Sequence, residues 1–130
     1  MEYFQVKIIK MIPAVLSLMA CLPPCLAGSQ QQVYTAVTNY PNPFDSREGS
    51  TTICYTLTTD SEVKAVIYDL LGNVVREYPE RFETAGIKTV VWDGTDQQGL
   101  KVSKGGYILT VEIKSGDSKT LATRKIGVIH

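Results

Sequence analysis

The segment Gly105–Lys114 has the sequence GGYILTVEIK, in which apolar and mostly polar positions alternate from Tyr107 onward. Successive side chains of an extended strand point to opposite sides, so a period of two indicates a strand with one buried face. The segment therefore predicts a β-strand. Its core-facing residues are expected to be Tyr107, Leu109, Val111 and Ile113.

Shorter runs of the same kind account for most of the chain after residue 32. Candidate strands cover residues 33–38, 51–57, 62–68, 74–78, 86–92, 107–114 and 119–129. We expect Pro79–Ala85 to form a charged loop and Asp93–Gly105 to form a loop rich in turn-forming residues. No convincing helix follows residue 28. About seven short strands separated by turns predict an all-β, antiparallel β-sandwich.

Two further features mark the core and one turn of this sandwich. Trp92 is the only tryptophan, and we expect it to anchor the core because it buries the largest apolar area. The segment Asp69–Asn73 predicts a tight turn, in which Gly72 supplies a permissive backbone and Asp69 accepts local hydrogen bonds. The other residues expected to face the core are Ile53, Tyr55, Leu57, Val63, Ala65, Ile67, Val90, Ile126 and Val128.

The first 27 residues resemble a secretory signal peptide. Two lysines precede the apolar run Met11–Leu22, which is shorter than the ~20 residues that a membrane-spanning helix needs. Cleavage before Gly28 would leave residues 28–35 as a flexible leader and residues 36–130 as the folded domain.

Cys21 gives a second interpretation of the same segment. Leu18-Met19-Ala20-Cys21 loosely resembles a lipobox, in which Cys21 would be lipidated and become the new N-terminus. A retained membrane anchor is the third possibility. All three place the domain outside the cytoplasm, in the extracellular space or on the outer-membrane surface, with the periplasm as the next possibility.

The net charge of the chain indicates which classes of partner it can bind. The chain has 13 basic and 13 acidic residues, and removal of residues 1–27 takes away Lys7, Lys10 and Glu2. The net charge then becomes −1, and no basic block remains. Because nucleic acid binding depends on clustered positive charge, we expect no nucleic acid partner.

Catalysis has little support in the residue inventory. His130 is the only histidine and ends the chain, and Cys54 would be the only cysteine after cleavage at Gly28. These residues cannot supply a zinc site, and a catalytic triad would depend on a terminal histidine. We therefore expect a protein that is not an enzyme, with no cofactor and no small-molecule substrate.

Asp93, Asp96 and Cys54 have alternative interpretations. Asp93 and Asp96 are weak candidate calcium ligands, since calcium prefers carboxylate oxygens, but both more simply accept backbone N–H bonds in a turn. Cys54 is expected to face away from the core, as an incidental strand residue or as one half of an intermolecular disulfide.

Seven short motifs occur in a fixed order with fitting spacings. They are Tyr40-Pro41-Asn42-Pro43-Phe44, Thr51-Thr52-Ile53, Ile67-Tyr68-Asp69-Leu70-Leu71-Gly72, Val91-Trp92-Asp93-Gly94-Thr95-Asp96, Gly99, Gly105-Gly106-Tyr107 and Arg124-Lys125-Ile126. Together they resemble the immunoglobulin-like domain of flagellar hook-capping proteins and the C-terminal sorting domains of type IX secretion cargo. The resemblance covers roughly residues 36–130.

The resemblance implies an immunoglobulin-like (fibronectin III-like) fold and a set of residue roles. The structural motif would comprise Pro41, Pro43, Asp69, Gly72, Trp92, Asp93, Gly94 and Tyr107. In a sorting domain the export machinery engages the end of the chain, which assigns partner recognition to Arg124, Lys125, Ile126 and Val128. We expect the two charged side chains of that set to be exposed, so that removing them changes stability little.

The secretory signal favours the sorting role, because hook-capping proteins should lack one. Sorting domains normally follow a large cargo domain, for which residues 28–35 leave no room, so we expect a stand-alone sandwich, a truncated product or a small assembly subunit. We expect a non-catalytic exported module for type IX-like sorting or surface attachment. The alternative is a structural subunit or adhesin of an extracellular filament or surface layer built through strand edges. Either role requires protein partners, namely export machinery or neighbouring subunits, and involves a membrane only through a lipid anchor or a retained signal.

Overall fold

The computed structural model of the protein describes Val33, Tyr34 and residues 36–130. The expected signal segment, including Cys21 and the cleavage position before Gly28, lies outside the described residues. Within the described residues the structure contains eight strands and no helix. The strands are β1 (Thr38–Tyr40), β2 (Phe44–Asp45), β3 (Thr51–Leu57), β4 (Ser61–Asp69), β5 (Val74–Glu83), β6 (Gly86–Trp92), β7 (Gly105–Ser115) and β8 (Ser118–Ile129).

The strands form two sheets. The first has three strands in the order β1-β3-β6, and the second has five in the order β2-β8-β7-β4-β5. All neighbouring strands are antiparallel except β2, which runs parallel to the end of β8. The predicted all-β, immunoglobulin-like sandwich is therefore confirmed.

The inner faces of the two sheets form one hydrophobic core. The alternation predicted for β3, β4, β6, β7 and β8 is confirmed, because every residue assigned to the inner face is buried. Leu109, Val111 and Ile113 of β7 are completely excluded from solvent. Each buried aliphatic side chain contributes about 1.5–3 kcal/mol relative to an exposed one, so this alternation supplies the main drive to fold.

Trp92 lies at one end of the core between two other aromatic rings. The ring centroid of Trp92 is 5.6 Å from that of Phe44 and 5.5 Å from that of Tyr107, with both pairs edge to face. The indole Nε1 of Trp92 donates a hydrogen bond to the carbonyl oxygen of Thr95 at 2.9 Å, which satisfies its one polar atom. The expected role of Trp92 as a core anchor is confirmed.

The first predicted strand, residues 33–38, is wrong. Tyr34 makes an isolated bridge to Leu57, and regular pairing begins only at Thr38. Val33 and Val37 are nevertheless buried. The apolar residues alternate in this segment because their side chains pack against the core. Such packing does not require a hydrogen-bonded partner strand.

The predicted loop Pro79–Ala85 is also wrong, because β5 continues to Glu83. β5 pairs with β4 over the whole length of that strand, with register shifts between Val63 and Ala65 and between Ile67 and Tyr68. β5 is an edge strand, where a proline that lacks an N–H donor is tolerated. The shifts accommodate the extra residues of β5 as bulges.

We expect Trp92→Ala to lower the free energy of unfolding by about 3–5 kcal/mol, because it removes the indole and leaves a cavity between Phe44 and Tyr107. A domain of this size has about 5–15 kcal/mol in total, so the variant should be close to unfolding. Urea denaturation measures the change. Leu71→Ala, at an exposed position, is the control and should unfold like the parent. Coincident curves for the parent and Trp92→Ala would contradict the central place of the indole in the core.

Candidate functional site

Most of the family-like motifs meet at one end of the sandwich, which we call the motif end. It comprises the loops 41–50, 70–73 and 93–104 together with the last residues of β8. These loops lie together because Thr51 pairs with Trp92 in one sheet and Asp69 pairs with Tyr107 in the other. The contact between Trp92 and Tyr107 joins the two sheets at this end.

The proline motif fastens the loop 41–50 to the last strand through Asn42. The Nδ2 group of Asn42 donates to the carbonyl oxygen of Lys125 at 2.9 Å, and its Oδ1 accepts from the backbone N–H of Gly127 at 2.8 Å. This is the bonding pattern of a residue in a parallel neighbouring strand. The Asn42 amide therefore extends the short pairing of β2 along the edge of β8.

Asn39 and Thr51 continue this network into the interior. Asn39 Nδ2 donates to Thr51 Oγ1 at 2.9 Å, and Thr51 Oγ1 donates to the carbonyl oxygen of Pro41 at 2.8 Å. Asn39 Oδ1 accepts from Asn42 Nδ2 at 3.1 Å. Asn39 and Thr51 are both buried, so each needs these partners to avoid an unsatisfied polar group.

Arg124 belongs to the same network. Its Nε donates to Asn39 Oδ1 at 3.0 Å, and the residue is half-buried. The expectation that Arg124 is exposed is wrong, because its guanidinium donates to a buried residue 85 positions earlier in the chain, while the small effect expected from its removal stays a prediction. Ile126 and Val128 are buried in the core. Of the four residues predicted to recognise a partner, only Lys125 is exposed.

The turn after β4 is held by Asp69. Its Oδ1 accepts from the backbone N–H groups of Leu71 and Asn73, each at 2.9 Å, and its Oδ2 accepts from Asn73 Nδ2 at 3.0 Å. The bonds from Asn73, followed by those from the backbone, lower the pKa of Asp69 below its ordinary value. Gly72 has φ +91°, a conformation that few other residues adopt. The turn thus presents Leu70 and Leu71 on a fixed backbone.

The loop after β6 is held in a similar way. Asp93 Oδ1 accepts from the backbone N–H and the hydroxyl of Thr95, at 3.2 and 2.6 Å. The Thr95 hydroxyl lowers the pKa of Asp93, against a smaller opposing effect of burial. Asp96 Oδ1 accepts from the backbone N–H groups of Gln98 and Leu100, each at 2.9 Å. A β-carbon at Gly94 would lie 2.6 Å from Cβ of Ser46, so this close approach requires glycine.

These contacts bear on the metal candidates. The carboxylates of Asp93 and Asp96 make hydrogen bonds inside their own turns. Among the described residues no three His, Cys, Asp or Glu side chains are grouped so that they could hold a metal ion. Cys54, the third residue with alternative interpretations, is half-buried with a free thiol. In that same part of the chain we also find no helix of the length and apolarity needed to cross a membrane.

The motif end also exposes large apolar side chains that the sequence analysis did not assign to any site. Leu71 is 88% exposed and Tyr40 is 81% exposed. The others at this end are Leu70, Leu100 and Ile129. Two adjacent leucines inside a turn are a signal that could have been recognised, because a turn lies at the surface. Exposed apolar groups on fixed loops are typical of a protein-binding surface.

The two-sheet architecture and the pinned loops define an immunoglobulin-like β-sandwich domain. The sequence model of the family described as "FlgD Ig-like domain" matches residues 42–117, which is more than half of the chain. The chain therefore belongs to the FlgD Ig-like domain family. A comparison with curated protein sequences gives no match.

Three solved structures share this fold. Latent PorU from Porphyromonas gingivalis matches with a TM-score of 0.61 and 23% identity, over 77% of this chain and 10% of PorU. FlgD from P. aeruginosa matches with a TM-score of 0.54 and 23% identity, over 65% of each chain. FlgD from Xanthomonas campestris, a hook-capping protein, matches with a TM-score of 0.53 and 22% identity, over 78% of this chain and 74% of that protein. This chain thus spans only a small part of PorU and about two thirds of FlgD.

We expect Asn42→Ala to lower the free energy of unfolding by about 0.5–1.5 kcal/mol, because it removes the bonds to Gly127, Lys125 and Asn39 at an exposed position where water replaces part of them. Thermal or urea unfolding measures the change. Asn73→Ala is the matched control, since it removes an exposed asparagine amide from the Asp69 turn and should cost less. If Asn42→Ala and Asn73→Ala lower the free energy of unfolding equally, Asn42 does not hold the proline loop.

Acid should weaken the motif end through Asp93. A carboxyl whose pKa is lowered by folding stabilises the native state above its unfolded pKa, and this stabilisation is lost as the pH falls through the lowered native value. In Asp93→Asn we therefore expect lower stability at neutral pH and a smaller loss between about pH 5 and pH 2. Urea unfolding at a series of pH values tests this. Asp117→Asn, in the exposed β7–β8 turn, controls for the removal of one negative charge. Its free energy of unfolding should change with pH as that of the parent does.

Proposed function

We propose that the protein is a non-catalytic exported module for type IX-like sorting or cell-surface attachment, and that its partner recognises the folded motif end. Membership of the FlgD Ig-like domain family supports a role in protein assembly. The motif resemblance to type IX sorting domains and the fold shared with part of PorU support the choice of export system.

The observation that carries this proposal is the pairing of exposed apolar side chains with rigid loops. Leu70 and Leu71 lie on a turn that Asp69 fixes through three hydrogen bonds. Leu100 follows directly on the turn that Asp96 fixes. Because these loops are already ordered, a partner that covers the leucines loses little conformational entropy on binding.

The partner in this proposal recognises a folded surface and not a linear tail. The terminal motif could serve as a linear signal only if its side chains were free, but Arg124 is bonded to Asn39 and Ile126 is in the core. Lys125 remains exposed beside Leu70, since both side chains would approach a β-carbon placed at Gly106, at 3.5 and 3.6 Å. Lys125 and the leucines thus form one candidate contact surface.

The test uses a bacterial strain that has a type IX export machine. We expect the double variant Leu70→Ser, Leu71→Ser to fold normally, because both side chains are exposed, and to accumulate in the periplasm without reaching the surface. Lys125→Ala should reduce display less. Protease accessibility of intact cells measures display, and thermal unfolding of the purified proteins confirms that they are folded.

Phe82→Ser is the matched control, since Phe82 is similarly exposed and pairs with Glu62 near the opposite end of the sandwich. It should be displayed like the parent. Normal display of the folded double-leucine variant would overturn the assignment of recognition to the motif end. Display of the parent in a strain that lacks the export machine would overturn the sorting function itself.

A further inference from the structure

The outer face of the three-stranded sheet carries no charged side chain. Its central part consists of Thr52, Cys54, Thr56, Ile87, Thr89 and Val91, and Ile87 is 74% exposed. β1 adds Thr38 and Tyr40 to the same face. The outer face of the five-stranded sheet is different, because it holds the ion pairs Lys64–Glu77, Lys114–Glu80 and Lys119–Glu112. Depletion of charge is a property that distinguishes the centre of protein interfaces from the rest of the surface.

The side chains on this face are arranged almost symmetrically along the strands. The register of β3 and β6 places Thr52 beside Val91, Cys54 beside Thr89, and Thr56 beside Ile87. β6 therefore presents an apolar residue, Thr89 and another apolar residue, whereas β3 presents Thr, Cys and Thr. Along each strand the pattern is nearly the same when it is read in either direction. The cross-strand pair Cys54–Thr89 lies at the centre of both.

A surface with this pattern is complementary to itself. Consider a two-fold axis above the Cys54–Thr89 pair that runs parallel to the sheet and perpendicular to the strands. Rotation about this axis places a second copy face to face with the first, with its strands reversed. Val91 then meets Ile87 of the second copy, and Thr52 meets Thr56. The apolar residues of β6 face each other, and no like charges approach each other on β3 and β6. We propose that two copies of this chain associate face to face through the outer surface of the three-stranded sheet.

The size of the face sets the strength of this association. β3 and β6 have seven residues each and β1 has three, and with strands about 4.8 Å apart and a rise of about 3.3 Å per residue the face covers roughly 270 Å². A stable interface buries about 800 Å² on each partner. The dimer is therefore weak and forms where many copies are held close together. This inference does not rest on the proposed export role, because the purified chain alone should associate.

Cys54 reports on the contact because it lies on the proposed axis. Stacked sheets are about 10 Å apart, whereas the Cα atoms of a disulfide are about 4.4–6.8 Å apart, so two facing Cys54 residues cannot form a disulfide directly. A bifunctional thiol reagent with a short spacer can bridge them. The full chain also contains Cys21 and Cys25, so the experiment uses Cys21→Ser, Cys25→Ser as the parent, in which Cys54 is the only thiol.

The experiment combines sedimentation velocity with thiol cross-linking over protein concentrations up to about 1 mM. We expect a concentration-dependent dimer that is captured through Cys54. Thr89→Lys places two ammonium groups together at the axis and should weaken the dimer at least tenfold. Thr123→Lys, at an exposed threonine on β8 of the other sheet, is the matched control and should associate like the parent. Circular dichroism verifies that each variant is folded.

Charge reversal separates a lost contact from a damaged fold. An equimolar mixture of Thr89→Lys and Thr89→Glu should give a mixed dimer that is captured by the cross-linker, while each variant alone stays monomeric. Equal weakening by Thr89→Lys and Thr123→Lys would overturn the proposal, as would failure of the mixture to associate. A parent that remains monomeric at about 1 mM would also overturn it, and would leave the uncharged face to a partner of a different sequence.

Discussion

The apolar core drives the two sheets together, and the amide of Asn42 holds the chain where it crosses from one sheet to the other. The chain leaves the three-stranded sheet at Tyr40 and joins the five-stranded sheet at Phe44, and this change of sheet must occur without leaving the edge of β8 unsatisfied. Asn42 fills the gap by bonding to the backbone on both sides of Ile126. Its bond to Asn39 connects the same residue to the first strand. One side chain thus ties β1, β2 and β8 together.

The faces of the strands could be predicted from the sequence because alternation is a local property. Inward positions from Ile53 to Val128 follow from the period of two, and the structure confirms them. The length of β5 could not be predicted, because Pro79 and the charged residues around it are typical of a loop. Only the pairing with β4 shows that this segment is a strand. The environment of Arg124 could not be predicted either. Its partner, Asn39, is distant in the chain, and a charged residue near a chain end is usually exposed.

The same distinction applies to the candidate site. The motifs identify the family reliably because most of their side chains make contacts that the fold requires, as Asn42, Asp69 and Trp92 show. Such residues cannot also contact a partner without disturbing the domain. The residues available for binding are the exposed members of the motifs, such as Leu71 and Lys125.

The proline in β5 has a consequence for how crowded copies meet. A sheet grows into a fibre when its edge strand offers an unbroken row of donors and acceptors to the next strand. Pro79 removes one donor from that row and lies within one of the two bulges of β5, while the second bulge, at Val75, turns further groups out of line. A strand from another copy therefore cannot form an unbroken ladder of backbone hydrogen bonds along β5, and the sheet cannot be extended by strand addition at this edge. At this edge, copies packed at high density are left with contacts between side chains, which separate again on dilution.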